Sequence, residues 1–296
     1  MILVTGGTGF IGRFLIRQLV AMGKPVRTLL RPSPDTPKLP RGMSVDVALC
    51  SLTDERSLRA AMKGIDVIYH LAGTERKGSR ADLNGVDVEG TQILSQVAAQ
   101  AGVERLIYLS HIGADRASAY PVFKAKALAE GHIIRSGINY TIFRSSIIFG
   151  PNDQFTTSIA QLIRKAPGIF LLPGDGKTLL QPIWIEDLVT CLAGVLDDSA
   201  FINQIISIGG IEYYSFRQVV ELVMGIIGIR RRFFSISPVY LRWFTLFIEP
   251  MFRFFPISIF WLDYLASNRT CPLDSLPRLF GLMPARLSQR LDYLKP

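Results

Sequence analysis

The chain of 296 residues carries a net charge of +9, with 49% hydrophobic and only 19% charged residues. Its mean hydropathy of +0.29 is high for a globular protein, in which about a quarter of the residues are charged. The length allows one large domain or two ordinary ones, and the excess apolar surface requires a large core, a partner or a membrane. The positive charge suits an anionic ligand or an anionic lipid surface.

The cysteines and the basic residues exclude several classes of protein. Cys50, Cys191 and Cys271 are odd in number and widely spaced, which predicts neither a disulfide framework nor a metal site. The basic residues are scattered and form no nucleic-acid-binding motif, so we expect no nucleic-acid partner. The first predicted strand begins at Ile2, which leaves no room for a signal peptide, and we expect a cytoplasmic protein.

Short apolar runs alternate with amphipathic stretches through the first two thirds of the chain. This pattern predicts an α/β fold with a Rossmann-type doubly wound parallel sheet. The predicted strands are Ile2–Thr5, Val26–Leu30, Asp66–His70, Arg105–Ser110 and Tyr140–Arg144, with helices between them.

The pattern of predicted elements changes after Gly150, where the elements become shorter and prolines separate them. A helix is predicted over Ser215–Ile227, and short helices are predicted over 272–296. We therefore divide the chain into a core at 1–150 and a smaller, mainly helical C-terminal region at 151–296, which interleaves with the last core elements. The C-terminal region includes an apolar segment rich in arginine and aromatic residues at 230–265.

A glycine-rich turn follows the first strand directly and opens a helix, with the sequence Thr5-Gly6-Gly7-Thr8-Gly9-Phe10-Ile11-Gly12. This context is that of a dinucleotide site. Gly6 permits the tight turn, Gly9 lets the backbone approach a pyrophosphate, and Gly12 lets the helix lie close to the sheet. The pyrophosphate would meet free N–H groups at the positive end of the helix dipole. We expect residues 1–150 to bind NAD(P)(H).

The end of the second strand indicates which dinucleotide is preferred. An acidic residue there favours NAD(H), because it accepts from the ribose 2′-hydroxyl and repels a 2′-phosphate. The strand runs instead into Arg31, and Arg13 follows Gly12. Either guanidinium can pair with a phosphate, so NADP(H) is favoured. The alternative is that Arg31 is a solvated loop charge.

These residues resemble the short-chain dehydrogenase/reductase superfamily in its extended or atypical branches, and in particular the group that contains the NADPH-holding accessory subunit of respiratory complex I. The resemblance covers nearly the whole chain. It includes the glycine turn, His70-Leu71-Ala72-Gly73, Val86-Asp87-Val88-Glu89-Gly90-Thr91, Ser110-His111-Ile112-Gly113-Ala114, Thr141-Ile142-Phe143-Arg144, Gln181-Pro182-Ile183-Trp184 and Phe280-Gly281-Leu282-Met283-Pro284.

The resemblance implies which residues hold the cofactor. The pyrophosphate would lie against Gly6, Thr8, Gly9, Phe10, Ile11 and Gly12. The path from adenosine to nicotinamide would be lined by Leu71, Ala72 and Gly73, and the backbone from Arg144 would approach the nicotinamide. Ser51 departs from the family pattern, because relatives commonly have an Asp near the adenine.

The superfamily's chemistry uses a Tyr, a Lys four residues later on the same helix face, and a Ser on the preceding strand. Tyr120 and Lys124 have that spacing, and Ser110 is a candidate for the Ser. A second register places the family lysine at Lys126, and Val122 then stands at the position of the Tyr.

Further features depart from a standard reaction centre of this superfamily. Pro121 indicates that Tyr120 precedes the first helical turn. Asp87 stands where many relatives have Asn, and His111 where many have a second Ser.

The segment 230–265 mixes aromatic residues with arginines, and charges and prolines interrupt it too often for a spanning helix. Such a composition suits a segment that lies in the headgroup region of a membrane. The alternative is an apolar lid over a substrate pocket or a core helix pair.

The first hypothesis is an atypical reductase-like protein that holds NADP(H) as a structural or regulatory cofactor, peripheral on the inner face of a membrane or in a membrane complex. A second is an active NADP(H)-dependent reductase or dehydrogenase of a small apolar carbonyl compound, or a sugar-nucleotide epimerase or dehydratase. A third is a redox-sensing regulator that binds NADP(H).

Overall fold

The computed structural model describes residues 1–32, 44–249 and 258–295. Among these residues the chain forms thirteen strands and ten α-helices. The strands are β1 (Ile2–Thr5), β2 (Val26–Leu30), β3 (Asp46–Leu49), β4 (Val67–His70), β5 (Arg105–His111), β6 (Tyr140–Ser145), β7 (Ile148–Phe149), β8 (Ile169–Pro173), β9 (Leu179–Leu180), β10 (Ile183–Trp184), β11 (Gln204–Ile208), β12 (Tyr214–Ser215) and β13 (Arg232–Ile236).

The helices connect these strands, and several are short. They are α1 (Phe10–Ala21), α2 (Glu55–Ala61), α3 (Gly90–Gln100), α4 (Pro121–Arg135), α5 (Thr156–Lys165), α6 (Ile185–Gly194), α7 (Phe216–Ile227), α8 (Pro238–Ile248), α9 (Ile259–Tyr264) and α10 (Ser275–Phe280). A π-helical turn at Leu83–Glu89 leads directly into α3. No helix in the described ranges has both the length and the apolarity needed to cross a bilayer.

Seven strands form one sheet in the order β11-β6-β5-β4-β1-β2-β3. The pairs of β1 with β2 and β4, of β2 with β3, and of β4 with β5 are all parallel. The strand order reverses between β1 and β4, where Thr5 and His70 are partners in register. Open α/β sheets bind ligands at this kind of switch point, outside the carboxyl ends of the strands. The predicted α/β fold with a doubly wound sheet is therefore confirmed.

The predicted strands match β1, β2, β4, β5 and β6 to within one residue at either end. The sequence analysis missed β3 and β11, which extend the sheet at its two edges. Three of the four residues of β3 are exposed, so it lacks the apolar run by which the inner strands are recognised. The helix predicted over Ser215–Ile227 is α7, and Ser215 is its N-cap within a capping box.

The chain divides into two compact units that interleave along the sequence. The first unit comprises Met1–Glu75, Asp82–Arg144 and Leu188–Ser207, and it contains most of the large sheet. Its core includes Leu3, Ile68, Leu94 and Leu106, which are fully buried. The second unit comprises Arg76–Ala81, Ser145–Asp187 and Ile208–Pro296.

The second unit contains three two-stranded sheets and most of the shorter helices. Strands β8 and β13 pair in parallel, with Ile169 opposite Arg232 and Leu171 opposite Phe234. Helix α8 follows β13 after Ser237 and packs against α9, to which an ion pair between Arg242 and Asp263 ties it at 2.5 Å. Much of the segment 230–265 thus forms β13, α8 and α9, while its residues 250–257 lie outside the described ranges.

Candidate functional site

The glycine-rich turn has the geometry of a phosphate cradle. Gly6 has a φ of +73°, in the left-handed region that side chains disfavour, and its carbonyl accepts from the Gly9 amide at 2.9 Å. Helix α1 begins at Phe10, and no side chain caps its N-terminus at Gly9. The first turn of α1 also contains no acidic residue. Its free N–H groups and the helix dipole are therefore available to an anion.

The backbone of this turn packs too closely for larger residues. A Cβ on Gly12 would overlap the carbonyl oxygen of Gly6, and a Cβ on Gly7 would overlap the Thr28 hydroxyl. Gly12 is buried while Thr8 and Gly9 are exposed, so the turn presents backbone to solvent on one side only. These observations fit the pyrophosphate of a dinucleotide, which a helix N-terminus and bare amide groups bind without a side-chain ligand.

Two arginines stand at the carboxyl end of β2 and in the first turn of α1. Arg31 directly follows β2 and is exposed, and Pro32 after it is exposed too. Arg13 is half-buried in the first turn of α1. No acidic side chain occurs between the start of β2 and residue 32.

His70 joins the end of β4 to its neighbours. Its Nδ1 lies 2.7 Å from Thr5 Oγ1, and its Nε2 lies 2.9 Å from Thr91 Oγ1. The Thr91 hydroxyl donates to the Asp87 carbonyl at 2.6 Å, so its oxygen accepts from Nε2–H and Nδ1 accepts from Thr5. Burial, with help from the Lys126 charge, lowers the pKa of His70 to about 3. His70 is therefore neutral, and its two hydrogen bonds connect Thr5 and Thr91 at the switch point.

Lys126 is buried on α4 with only 3% of its surface exposed, and it faces two carboxylates. Its Nζ lies 3.6 Å from Glu75 Oε2 and 3.7 Å from Asp87 Oδ1. His111 Nε2 lies 3.6 Å from Glu75 Oε1, and the ring of Tyr108 lies beneath the ammonium at 5.4 Å. The sequence thus brings one cation and two acids together at the carboxyl ends of β4 and β5, in the first unit.

The two carboxyls respond differently to this burial. Burial opposes the charge on Glu75, but the Lys126 ammonium and His111 hold the pKa of Glu75 well below its ordinary value. Burial raises the pKa of Asp87 to about 6, since the charge on Glu75 offsets part of the attraction by Lys126. Two nearby acids cannot both ionise easily in a buried place, and here Glu75 is the stronger acid.

The predicted catalytic residues on α4 differ in burial and in their place along the helix. Lys124 is exposed, whereas Lys126 is buried. Tyr120 is the N-cap of α4 with an extended backbone, and Pro121 is the first helical residue, as the sequence indicates. One turn before Lys126 stands Val122, which is buried. The helix face that carries Lys126 therefore has no phenol at the family position.

Ser110 belongs to a separate network. Its hydroxyl donates to Glu130 Oε1 at 2.5 Å. Arg144 donates to both oxygens of the same carboxylate, at 3.0 Å from Nε and 2.6 Å from a terminal nitrogen. The Ser110 hydroxyl is thus committed to a buried acid, and the Arg144 guanidinium is held by a two-point ion pair.

The sequence analysis did not single out Glu75 and treated Asp87 only as a departure from the family pattern. Asp87 lies on the π-helical turn, and its Oδ2 accepts from the amide and the hydroxyl of Thr74 at 3.0 and 2.6 Å. π-helical turns recur at functional sites, but no sequence pattern marks this one. The one signal in the sequence for Glu75 is its position: it is an acidic residue soon after β4, and the end of β4 borders the switch point.

The comparisons with known proteins agree with this geometry. Residues 6–164, which are more than half of the chain, match the family described as NAD(P)H-binding. The chain belongs to this family. The match includes the glycines of the turn, strand β4 with His70 at its end, and helix α4.

Three curated relatives are informative. The chain is 28% identical over 230 residues to NADH dehydrogenase [ubiquinone] 1 alpha subcomplex subunit 9, mitochondrial, of Arabidopsis thaliana, covering 76% of this chain and 57% of the relative. It is 34% identical over 174 residues to sterol demethylase protein B of Methylococcus capsulatus, with 51% and 52% covered. It is 29% identical over 187 residues to ceramide reductase of Caulobacter vibrioides, with 63% and 58% covered. The chain thus spans little more than half the length of these relatives.

Solved structures share the fold over the whole chain. A nucleoside-diphosphate-sugar epimerase of Staphylococcus aureus superposes with a TM-score of 0.79 at 17% identity, covering 98% of this chain and 99% of that one. A short-chain dehydrogenase/reductase superfamily protein of Agrobacterium tumefaciens with bound NAD has a TM-score of 0.72 at 19% identity, with 99% and 94% covered. The fold and the relatives together confirm the resemblance to the atypical short-chain dehydrogenase/reductases, including the complex I subunit.

Replacing Asp87 by Asn is expected to stabilise the protein at neutral pH. Because the folded state raises the pKa of Asp87 from 3.8 to about 6, the wild type loses stability as the pH rises through this range. Asn keeps an acceptor for Thr74 and carries no charge. Chemical denaturation from pH 4 to pH 7 should show the variant's advantage in unfolding free energy growing by about 1–3 kcal/mol.

Asp82→Asn is the matched control, since Asp82 is exposed and caps the same π-helical turn through the Gly85 amide. Comparing the two variants separates the effect of removing the buried charge from that of an Asp-to-Asn change on the same turn. A pH-independent difference for Asp87→Asn would contradict the prediction, because it would mean that Asp87 titrates alike in the folded and unfolded protein.

Proposed function

We propose that this protein holds NADP(H) as a resident cofactor at a membrane surface, without the Tyr–Lys chemistry of its superfamily. The observation that carries the proposal is the pairing of Lys126 with Glu75 and Asp87 at ion-pair distances of 3.6 and 3.7 Å. In the superfamily this lysine lowers the pKa of a Tyr phenol on the same helix face, but here Val122 stands at that position. The lysine's charge is balanced by carboxylates instead.

The fit to a dinucleotide rests on the described residues of the first unit. Amide groups at the start of α1 would take the pyrophosphate, and the backbone of Leu71 to Gly73 would border the path toward Lys126. When bound, the nicotinamide supplies a site that accepts or donates a hydride. A cofactor that lacks the phenol of the family's Tyr–Lys pair beside it suits a structural or regulatory role.

The preference for the 2′-phosphorylated dinucleotide rests on charge. A 2′-phosphate at the end of β2 would meet Arg31, and Arg13 lies in the first turn of α1 near the same cradle. Guanidinium–phosphate pairs are charge-assisted and directional, and no acidic residue stands between Val26 and Pro32 to repel the phosphate.

Replacing Arg31 by Ala should weaken NADPH binding about tenfold and leave NADH binding unchanged, because only NADPH carries the 2′-phosphate. Isothermal titration with both dinucleotides measures the two affinities. Arg17→Ala is the control: it removes the same charge from α1, where Arg17 lies over the Phe14 ring at 5.5 Å. Equal losses for NADPH and NADH in Arg31→Ala would overturn the assignment.

The membrane part of the proposal rests on an exposed apolar surface in the second unit. On α8, Tyr240, Trp243 and Phe247 expose 71%, 60% and 69% of their surfaces, and Phe244 is exposed beside them. These positions recur at helical spacing and so form one face. We call this face the α8 face.

The ribbon of β8 and β13 carries a second exposed apolar surface. Ile169, Leu171 and Phe234 are exposed and project from one side of the ribbon, together with Arg232, because their positions are register partners. A monomeric protein rarely leaves so many large apolar side chains in water.

The charges of neighbouring residues indicate what covers the α8 face and the exposed side of the β8–β13 ribbon. Between Glu221 and Glu249 the chain has four arginines and no acidic residue. Arg230 and Arg232 are exposed where β13 begins. Aromatic side chains beside arginines and without acids are typical of segments that lie among anionic headgroups with their rings toward the acyl chains. We therefore place the protein peripherally on the inner face of a membrane.

A double variant, Trp243→Gln with Phe247→Gln, should lose at least about tenfold in affinity for vesicles of phosphatidylcholine and phosphatidylglycerol, since each ring contributes apolar burial. Vesicle sedimentation measures the binding, and Met283→Gln is the control because Met283 is exposed outside both surfaces. If the wild-type protein does not bind these vesicles but copurifies with a membrane protein complex, the lipid surface is the wrong assignment and the exposed apolar surfaces bind a protein partner.

A second candidate function is an NADP(H)-dependent reductase of an apolar carbonyl compound. The names of two relatives, ceramide reductase and sterol demethylase protein B, favour it. In this chain His111 and Glu75, at 3.6 Å, could hold the proton that a carbonyl oxygen requires. Tyr120 is the N-cap residue of α4, and this candidate assigns it no role in the proton transfer.

For this candidate, Tyr120→Phe is expected to keep at least half of any NADPH oxidation that a long-chain ketone in detergent elicits. Lys126→Met should abolish the oxidation, because it leaves two carboxylates without a cation. The reaction is followed by NADPH absorbance. Complete loss of turnover in Tyr120→Phe, with the fold intact, would return Tyr120 to the reaction centre.

A further inference from the structure

Three consecutive arginines line a surface cavity in the second unit. The cavity has a volume of about 570 Å³, and it is lined by Gly168, Ile169, Arg230, Arg231 and Arg232. We call it the arginine cavity. It lies where the chain enters β8 and β13, and there the amide of Arg232 donates to the Gly168 carbonyl at 3.0 Å. Guanidinium groups before and within β13 thus meet exposed glycine backbone before β8.

The charge of the arginine cavity is not balanced by acidic residues. The chain has no acidic residue between Asp153 and Asp175, nor between Glu221 and Glu249, and these two segments supply every residue that lines the cavity. The ion pairs that the described residues of the second unit form include none of the three arginines. An anion in the cavity therefore meets positive charge that no carboxylate offsets.

One of the three arginines is held in place by the backbone behind it. Arg231 is half-buried, and its Nε donates to the Ile163 carbonyl near the end of α5 at 3.0 Å. A terminal nitrogen donates to the Arg230 carbonyl at 3.3 Å. A guanidinium has five N–H groups, so Arg231 can keep both bonds and still donate to a ligand. Arg230 and Arg232 are exposed on either side of it along the chain.

The number of arginines indicates which kind of anion fits the cavity. A phosphomonoester carries between about 1.5 and 2 negative charges at neutral pH and offers three acceptor oxygens. A phosphodiester carries a single charge and has fewer free oxygens. Guanidinium groups pair with phosphate oxygens in a two-point geometry, so a set of three has donors for every oxygen of a phosphomonoester. The arginine cavity therefore matches a phosphomonoester better than a phosphodiester.

The arginine cavity continues into the exposed apolar side of the β8–β13 ribbon. Ile169 lines the cavity and is the register partner of Arg232, and both are exposed. Phe234 projects from the same side about 7 Å further along the strand. The opposite side of the ribbon carries Phe170 and Leu172, which are buried. A soluble phosphomonoester has no use for the exposed apolar side, whereas the acyl chains of a lipid do.

We infer that the arginine cavity binds the phosphomonoester headgroup of a phospholipid, whose acyl chains contact Ile169, Leu171 and Phe234. This inference rests on the proposed membrane function and deepens it, because it assigns one class of lipid to a defined site. Phosphatidic acid carries this headgroup, and phosphatidylglycerol is a phosphodiester of the same lipid family. A general attraction of positive charge to an anionic surface does not distinguish the two lipids at equal surface charge.

Vesicle sedimentation at equal surface charge tests the assignment. One set of phosphatidylcholine vesicles contains phosphatidic acid, and a second contains enough phosphatidylglycerol to give the same zeta potential. The wild type should bind the first set about tenfold more tightly. The double variant Arg230→Gln with Arg232→Gln should lower this ratio of affinities to less than about twofold. The ratio is the readout, because both affinities fall when arginines are removed from a membrane-facing surface.

The double variant Arg278→Gln with Arg286→Gln is the matched control. It removes the same charge from exposed arginines of the second unit, which pair with Asp274 and Glu212 outside the arginine cavity. The control should keep the ratio at about tenfold. Both double variants change only exposed side chains, and thermal unfolding shows whether each keeps the wild-type fold.

Calorimetry with glycerol 3-phosphate distinguishes a lipid headgroup from a soluble phosphomonoester. The wild type should bind it at least about a hundredfold more weakly than accessible phosphatidic acid, because the apolar side of the ribbon then gains no contact. Tight binding of glycerol 3-phosphate without a preference for phosphatidic acid vesicles would overturn the lipid assignment.

The vesicle results also separate this inference from the function on which it rests. A wild type that binds both sets of vesicles equally, or a ratio that Arg230→Gln with Arg232→Gln leaves unchanged, would overturn the inference and leave the proposed membrane function standing. A wild type that binds neither set would overturn the membrane function as well.

Discussion

Lys126 is a fully buried ammonium, and its burial is the constraint on which the geometry of the site depends. An unpaired charge in such a place is too costly to keep, so Glu75 and Asp87 must face it. Asp87 can do so because the π-helical turn that carries it packs against α4, and Thr74 holds its other oxygen. The irregular π-helical turn thus serves to position the carboxylate of Asp87.

The same irregular turn links the charged cluster to the glycine cradle. The Thr91 hydroxyl donates a hydrogen bond to the Asp87 carbonyl. Hydrogen bonds between Thr91 and His70 and between His70 and Thr5 continue this network to the end of β1. Thr5 in turn accepts from the Ala72 amide at 3.2 Å. The two ends of a dinucleotide would therefore lie on backbone that one continuous network holds in place, and the neutral state of His70 keeps a second cation out of it.

The sequence predicts the sheet and the cradle because both leave local signals. The inner strands are apolar runs, and the glycine turn has a fixed spacing between a strand and a helix. The charged cluster leaves no such signal. Lys124 and Lys126 lie two residues apart on α4, and tertiary packing alone decides that the second is buried. Glu75 meets Lys126 from a distant loop, so no spacing along the chain could have joined them.

The parallel ribbon in the second unit has a consequence for how the chain folds during its synthesis. Strand β13 pairs with β8 although about 60 residues separate them, and a parallel pair cannot form through a short hairpin. After β8 leaves the ribosome, Ile169 and Leu171 must wait for the chain through Ile236 before their partner arrives. During that delay the unpaired edge of β8 is open to association with the edge strands of other chains.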